Sequence, residues 1–171
     1  MPRVGRRTLR IFAIFALLLA CGRDDAPAAP DVETLWLSLG GETFTLEVAL
    51  DPGTRQKGLS GRPSIPRNSG MLFVQPRLQP IAMVMRDCPK PIDVAFLDAA
   101  GRVVAMHAMQ PEPPRRHDET PSEYERRLRP YPSRRPVQFA IEIAGGRLAE
   151  LGIVVGERIA FDGDALARRS H

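Results

Sequence analysis

Cysteine is nearly absent from this chain: two residues in 171, at positions 21 and 88. A disulfide-stapled scaffold is therefore excluded, and stability has to come from an ordinary apolar core. Three histidines, one of them at position 171, are too few for a His-rich metal site. No phosphate loop, zinc-ligand spacing, Gly-x-Ser-x-Gly elbow or nucleic-acid module occurs, and no internal repeat is visible. The longest unbroken apolar run, Ile11 to Ala20, has ten residues, about half of the roughly 20 that a membrane-spanning helix needs.

What is present begins with an address. Arg3, Arg6, Arg7 and Arg10 precede that apolar run, and Leu18-Leu19-Ala20-Cys21 follows it. A basic, then apolar, then small-residue order is the secretory pattern. The quartet resembles the bacterial lipobox, which implies cleavage before Cys21 and acylation of its thiol. Two or more acyl chains give stable anchoring, at about 0.8 kcal/mol per buried methylene. Residues 1–20 are thus expected to be a lipoprotein signal peptide and residues 21–32 a flexible tether. The partner expected first is the lipid bilayer, through acylated Cys21, on the periplasmic face. Gly22 after the cysteine favours the outer membrane, by resemblance to enterobacterial sorting rules. The charge balance agrees with this division. The first twenty residues hold four of the 24 basic residues and none of the 20 acidic ones, so the remainder is formally neutral. That argues against a nucleic-acid partner.

From Glu33 onward the pattern is β-rich. Leu35, Leu37 and Leu39, then Phe44, Leu46, Val48 and Leu50, alternate with other residues around Gly40-Gly41, which predicts a β-hairpin. Asp51-Pro52 begins a short helix to Lys57, and Gly58 stops it. Short apolar runs at Met71–Val74, Ile81–Met85, Asp93–Leu97 and Arg102–Met109 read as strands separated by turns. Residues 110–136 are a Pro- and Arg-rich excursion. Inside it, Thr120-Pro121-Ser122-Glu123 reads as a capping box opening a helix to Arg129. Val137, Phe139, Ile141 and Ile143 form the clearest strand, alternating with Gln138, Ala140 and Glu142. A helical turn at Arg147–Leu151, a last strand at Arg158–Phe161 and a frayed polar tail from Gly163 complete the reading. The expected fold is mostly β (β-rich α+β), a small barrel or barrel-like antiparallel sheet with two or three short helices. It forms a single domain over residues 33–162, followed by the polar tail 163–171.

Several ordered blocks carry a family resemblance. Arg55, Gly58-Leu59, Arg62 and Gly70-Met71-Leu72-Phe73 form the first. Met85-Arg86-Asp87 with Pro91 to Asp98 forms the second, and Glu142 to Gly146 with Gly152-Ile153 and Gly156-Glu157 the third. Together, over about Leu46 to Phe161, they resemble the bacterial and archaeal domain-of-unknown-function family 192. The resemblance implies a compact, mostly β domain that is often exported, and no agreed activity. The chain departs from the family pattern at Ser60, where methionine is usual. It departs again at Met83-Val84, where an aromatic pair is frequent, and at Cys88, where threonine is common.

Four constellations offer chemistry, each beside a plainer structural reading. Met83, Met85, Met106 and His107 are candidate ligands for Cu(I), which thioethers suit; methionine also simply fills core gaps. Cys88, His107 and Asp93 are the ingredients of a thiol nucleophile, provided the fold brings a base to the thiol. Arg55, Arg62 and Asp93 are a candidate polar site for an anionic or hydroxylated ligand; an Arg55–Asp93 ion pair fixing helix to sheet is the plainer alternative. The arginines between Arg115 and Arg135 are interleaved with acids, so they suit either an anionic polymer or a solvated mixed-charge face. The leading expectation is a non-enzymatic, membrane-tethered binding or accessory module of the cell envelope, with no cofactor and an unknown envelope ligand or protein as partner. A methionine-based copper handler and a Cys/His hydrolase are the alternatives.

Overall fold

The computed structural model describes residues 32–171. The hairpin pairs β1 (Thr34–Leu39) with β2 (Glu42–Ala49) through a two-residue turn. Gly40 and Gly41 both have positive φ, 54° and 83°, as the tight turn matching right-handed strand twist requires. Helix α1 (Pro52–Lys57) follows, with the Asp51 carboxylate accepting from Thr54 N at 2.9 Å. The chain then returns as β3 (Ser69–Gln79), parallel to β2. After the two-residue β4 (Ala82–Met83), β5 (Ile92–Leu97) and β6 (Val103–Met109) form a second hairpin. The excursion carries α2 (Pro121–Arg127) and β7 (Tyr131–Pro132), which pairs with β4. Finally β8 (Val137–Ala144) inserts between β3 and β5, antiparallel to both, and α3 (Arg147–Glu150) and α4 (Gly163–Arg169) follow.

The main sheet is mixed and open, in the order β1-β2-β3-β8-β5-β6. It does not close into the barrel that the short strands suggest, because β1 and β6 stay apart as edges. Nor is it purely antiparallel, since the α1 crossover returns β3 parallel to β2. Both faces of the sheet are covered instead. On the first face Phe44, Leu46, Leu72, Phe139, Ile141 and Ile143 pack under Leu148, Ile153, Ile159 and Leu166. On the second, Met71, Phe73, Val94, Phe96 and Ala140 pack under Leu59, Met85, Cys88 and Tyr131. A sheet with two covered faces has no apolar surface left to hide by rolling up.

Four short helices form among the described residues, where two or three were expected. The additional one is α4, in the segment expected to fray: Asp162 caps it through Ala165 N at 2.9 Å, and Leu166 inserts into the first core. The expected strand at Arg158–Phe161 is reduced to one bridge, Arg102 to Arg158. Within the excursion, Thr120 and Glu123 form the capping box, and Tyr124, Leu128 and Tyr131 are buried. At the far side Arg147 is buried beneath Glu42 (2.7 Å) and Glu150 (2.6 Å), over the Phe44 ring.

Candidate functional site

β8 is the central strand, and the position of one residue on it defines the site. Glu142 lies opposite Met71 on β3 and Val94 on β5, so both flanking strands offer it only apolar side chains. It is 5 % exposed. Among the described residues no protein hydrogen bond or ion pair reaches its carboxyl group, whose oxygens touch the solvent of the cleft, since no sealed side-chain oxygen is left without a partner. Burial alone pushes its acid constant up, from 4.5 to about 8. A buried carboxyl that lacks donors neutralises rather than remain charged in a low-dielectric surround.

Glu142 faces a cleft of about 180 Å³. One wall is the end of α1 and the turn behind it, from Arg55 to Ser60. The other is Ala82–Val84 with Arg86 and Cys88, and Phe73 completes the lining. Gly58 decides whether the cleft stays open. Its φ is +49°, and a Cβ there would stand 3.3 Å from the Phe73 ring and 3.8 Å from Glu142 Oε2. Glycine thus supplies both the left-handed turn that ends α1 and the space above the carboxyl. Ser60 Oγ donates to the Arg86 carbonyl at 2.7 Å, and the Cys88 thiol donates to the same oxygen at 3.3 Å. Arg86 forms a fork with Glu125 of α2, its Nη2 2.7 Å from Oε2, and so ties the excursion to the cleft mouth. The chain's departures from the family pattern, Ser60, Met83-Val84 and Cys88, all line this one cleft.

The residues singled out from sequence are dispersed. Arg55 does not meet Asp93. Its guanidinium donates to the carbonyls of Leu50 (2.6 Å), Val74 (3.1 Å) and His171 (2.7 Å) and to Ser170 Oγ (3.1 Å), binding α1 to the sheet and to the segment after α4. Arg62 forks onto Glu47 at 2.5 and 2.6 Å. Asp93, on the first face, accepts from Leu148 N at 2.9 Å at the start of α3. The three therefore serve three separate contacts, and of them only Arg55 borders the cleft.

The proposed nucleophile system does not assemble either. Cys88 belongs to the second face and Asp93 bonds across the first. His107 Nε2 lies 2.9 Å from the Pro132 carbonyl, with its ring edge-on to Phe96 and Tyr131. The Cys88 thiol is pushed up to about 11, by burial first and by the neighbouring Glu142 second, so it is fully protonated at neutral pH. The methionines divide as well: Met106 packs against the first core, Met85 is sealed in the second, and Met83 lines the cleft. Among the described residues no cluster of His, Cys, Asp and Glu is arranged to hold a metal ion. Cys21 lies outside the described residues.

Sequence reasoning named Glu142 only as one of the residues alternating with the apolar set of its strand. Its presence in the third resemblance block was the available signal.

The fold and this cleft define a class: a β-rich, open-sheet domain with a carboxyl at the floor of a small cleft. The chain belongs to family DUF192, described as an uncharacterized ACR, whose model matches residues 35–161. Among solved structures it is similar to a Sinorhizobium meliloti 1021 protein provisionally described as a transcription regulator. The identity is 28% over 76% of this chain and 92% of that one, with a TM-score of 0.58. A Novosphingobium aromaticivorans DSM 12444 protein of unknown function shares the fold, at 22% identity over 76% and 85% of the two chains and a TM-score of 0.58. No curated protein matches.

Proposed function

We propose that this chain is a membrane-tethered cell-envelope lipoprotein that binds a small ligand in the Glu142 cleft without transforming it. The observation that carries the binding reading is the buried, unpartnered carboxyl facing an open cleft. Left empty, such a group destabilises the fold, whereas an apolar residue at the same place would stabilise it. A ligand that hydrogen-bonds the carboxyl group recovers the deficit. A thiol-nucleophile reaction is disfavoured by the same geometry: the Cys88 thiol in the cleft is protonated and donates to a backbone carbonyl, not to a base. The tether rests on the basic and apolar leader and on Leu18-Leu19-Ala20-Cys21.

The test is native mass spectrometry of the full protein extracted from its own envelopes. The wild type is expected to carry both an acyl mass at Cys21 and a small-molecule adduct that Glu142→Ala lacks. Cys21→Ser should move the protein to the soluble fraction. An unprocessed N-terminus ends the tether reading. An adduct that survives Glu142→Ala in a folded protein ends the cleft reading.

A further inference from the structure

We propose that the group the cleft receives is a carboxylate, so that the ligand is a small organic acid held between the Glu142 carboxyl group and the basic mouth. This rests on the binding reading above and adds the ligand class to it.

The charges around the cleft decide the sign. Three basic residues, Arg55, Lys57 and Arg86, line it, and Glu142 is its only acid. Arg86 is neutralised by Glu125. Arg55 is held by backbone oxygens and faces the Asp51 carboxylate, which offsets its charge. Lys57, exposed at the end of α1, makes no ion pair among the described residues; the nearby Glu47 is already taken by Arg62. Asp87, next to Arg86, turns its carboxylate to the Tyr124 hydroxyl at 2.9 Å. The remaining groups facing Glu142 are neutral: Met71, Phe73 and Val94 from the adjacent strands, Ser60 from the turn, and Cys88. A cationic ligand would approach the unpaired Lys57 ammonium, while an anionic one is drawn in by it.

The floor of the cleft suits the same assignment. Near neutral pH the Glu142 carboxyl group keeps its proton, because burial disfavours the anion and no protein group hydrogen-bonds to it or pairs with it. A neutral acid is a hydrogen-bond donor, and an O–H···O⁻ bond to a carboxylate is among the stronger hydrogen bonds available in a protein. The ligand's apolar body then lies against Leu59, Phe73, Met83 and Val84. A phosphate dianion fits less well, since it calls for several converging donors and the floor presents one.

The experiment is calorimetric titration of the full chain in detergent with three sets of probes. These are acetate, lactate, succinate and glutarate; their amides; and ethylamine, putrescine and glycerol. At pH 6 at least one carboxylate should bind tenfold or more tightly than its amide. Its affinity should fall about tenfold per pH unit above pH 8, as Glu142 ionises. Glu142→Gln, which still donates, should retain binding within about tenfold and lose that alkaline fall. Glu142→Leu should abolish binding, and Lys57→Ala should weaken it about five- to tenfold. Binding that strengthens above pH 8, or that Glu142→Gln abolishes, overturns the carboxylate assignment, as does an amine or polyol that binds through Glu142 while the acids do not; each of these leaves the cleft reading standing. If none of the carboxylates binds, the assignment is overturned, and the native-mass adduct judges the cleft reading separately.

Discussion

Glu142 should impose a measurable pH dependence on folding. In the unfolded chain its carboxyl titrates near 4.5, and in the folded protein near 8. Between these values the folded state binds a proton that the unfolded state has released. Stability therefore falls as pH rises, by about 1.4 kcal/mol per pH unit. The loss begins near pH 4.5, amounts to about 3 kcal/mol at pH 7, and levels off at about 5 kcal/mol above pH 8. Little solvent screening applies, because the residue is 5 % exposed. Glu142→Gln is nearly isosteric and does not titrate, so it removes this term and leaves the other ionisable groups in place. Urea unfolding of both proteins at pH 5, 6, 7 and 8 isolates the term as the difference between two curves. The variant should gain on the wild type by about 3–4 kcal/mol between pH 5 and pH 8. A difference that changes by less than about 1 kcal/mol over that range would refute the reasoning, because Glu142 would then be solvated or paired.

Other perturbations separate structural from ligand-binding residues. Arg55→Ala should cost about 2–3 kcal/mol in urea unfolding, since it strips charge-assisted hydrogen bonds from the Leu50 and Val74 carbonyls. Arg55→Lys should recover less than half of that, because an ammonium lacks the planar fork that spans these oxygens. Gly58→Ala should lose about 1–2 kcal/mol in thermal denaturation, as it combines a left-handed turn with a contact 3.3 Å from Phe73. Asp93→Ala should cost about 1–2 kcal/mol through the freed Leu148 amide, while Asp93→Asn, which keeps an acceptor, should cost less. Equal losses for the two Asp93 variants would mean that its charge, not the hydrogen bond, is what matters.

The mixed-charge excursion shows how local and tertiary information divide. Its arginines are spent largely within the structure. Arg127 forks onto buried Glu119 and stacks over Tyr124, and Arg116 reaches Asp118 at 3.4 Å. Arg86, from outside the segment, clamps Glu125. The capping box of α2 was legible from four consecutive residues because its contacts are local. That the helix is tied to the mouth of the Glu142 cleft was not legible, because Arg86 and Glu125 are 39 residues apart.

Local chemistry by itself determined the hairpin at Gly40-Gly41, the start of α1 at Asp51-Pro52, the capping box and the β-rich class, since each depends on residues a few positions apart. Tertiary structure decided the rest. Two-residue alternation in β8 implied one wet face and one dry one, yet insertion between β3 and β5, with layers packed above and below, left both faces dry. The same insertion turned Glu142 from an unremarkable polar position into a buried acid. It also put Asp93 and Cys88 on opposite sides of the sheet and left the edges β1 and β6 too far apart to close a barrel. Strand order and face coverage arise from pairings between residues distant in the chain, and a linear pattern carries no record of which strand ends up in the middle.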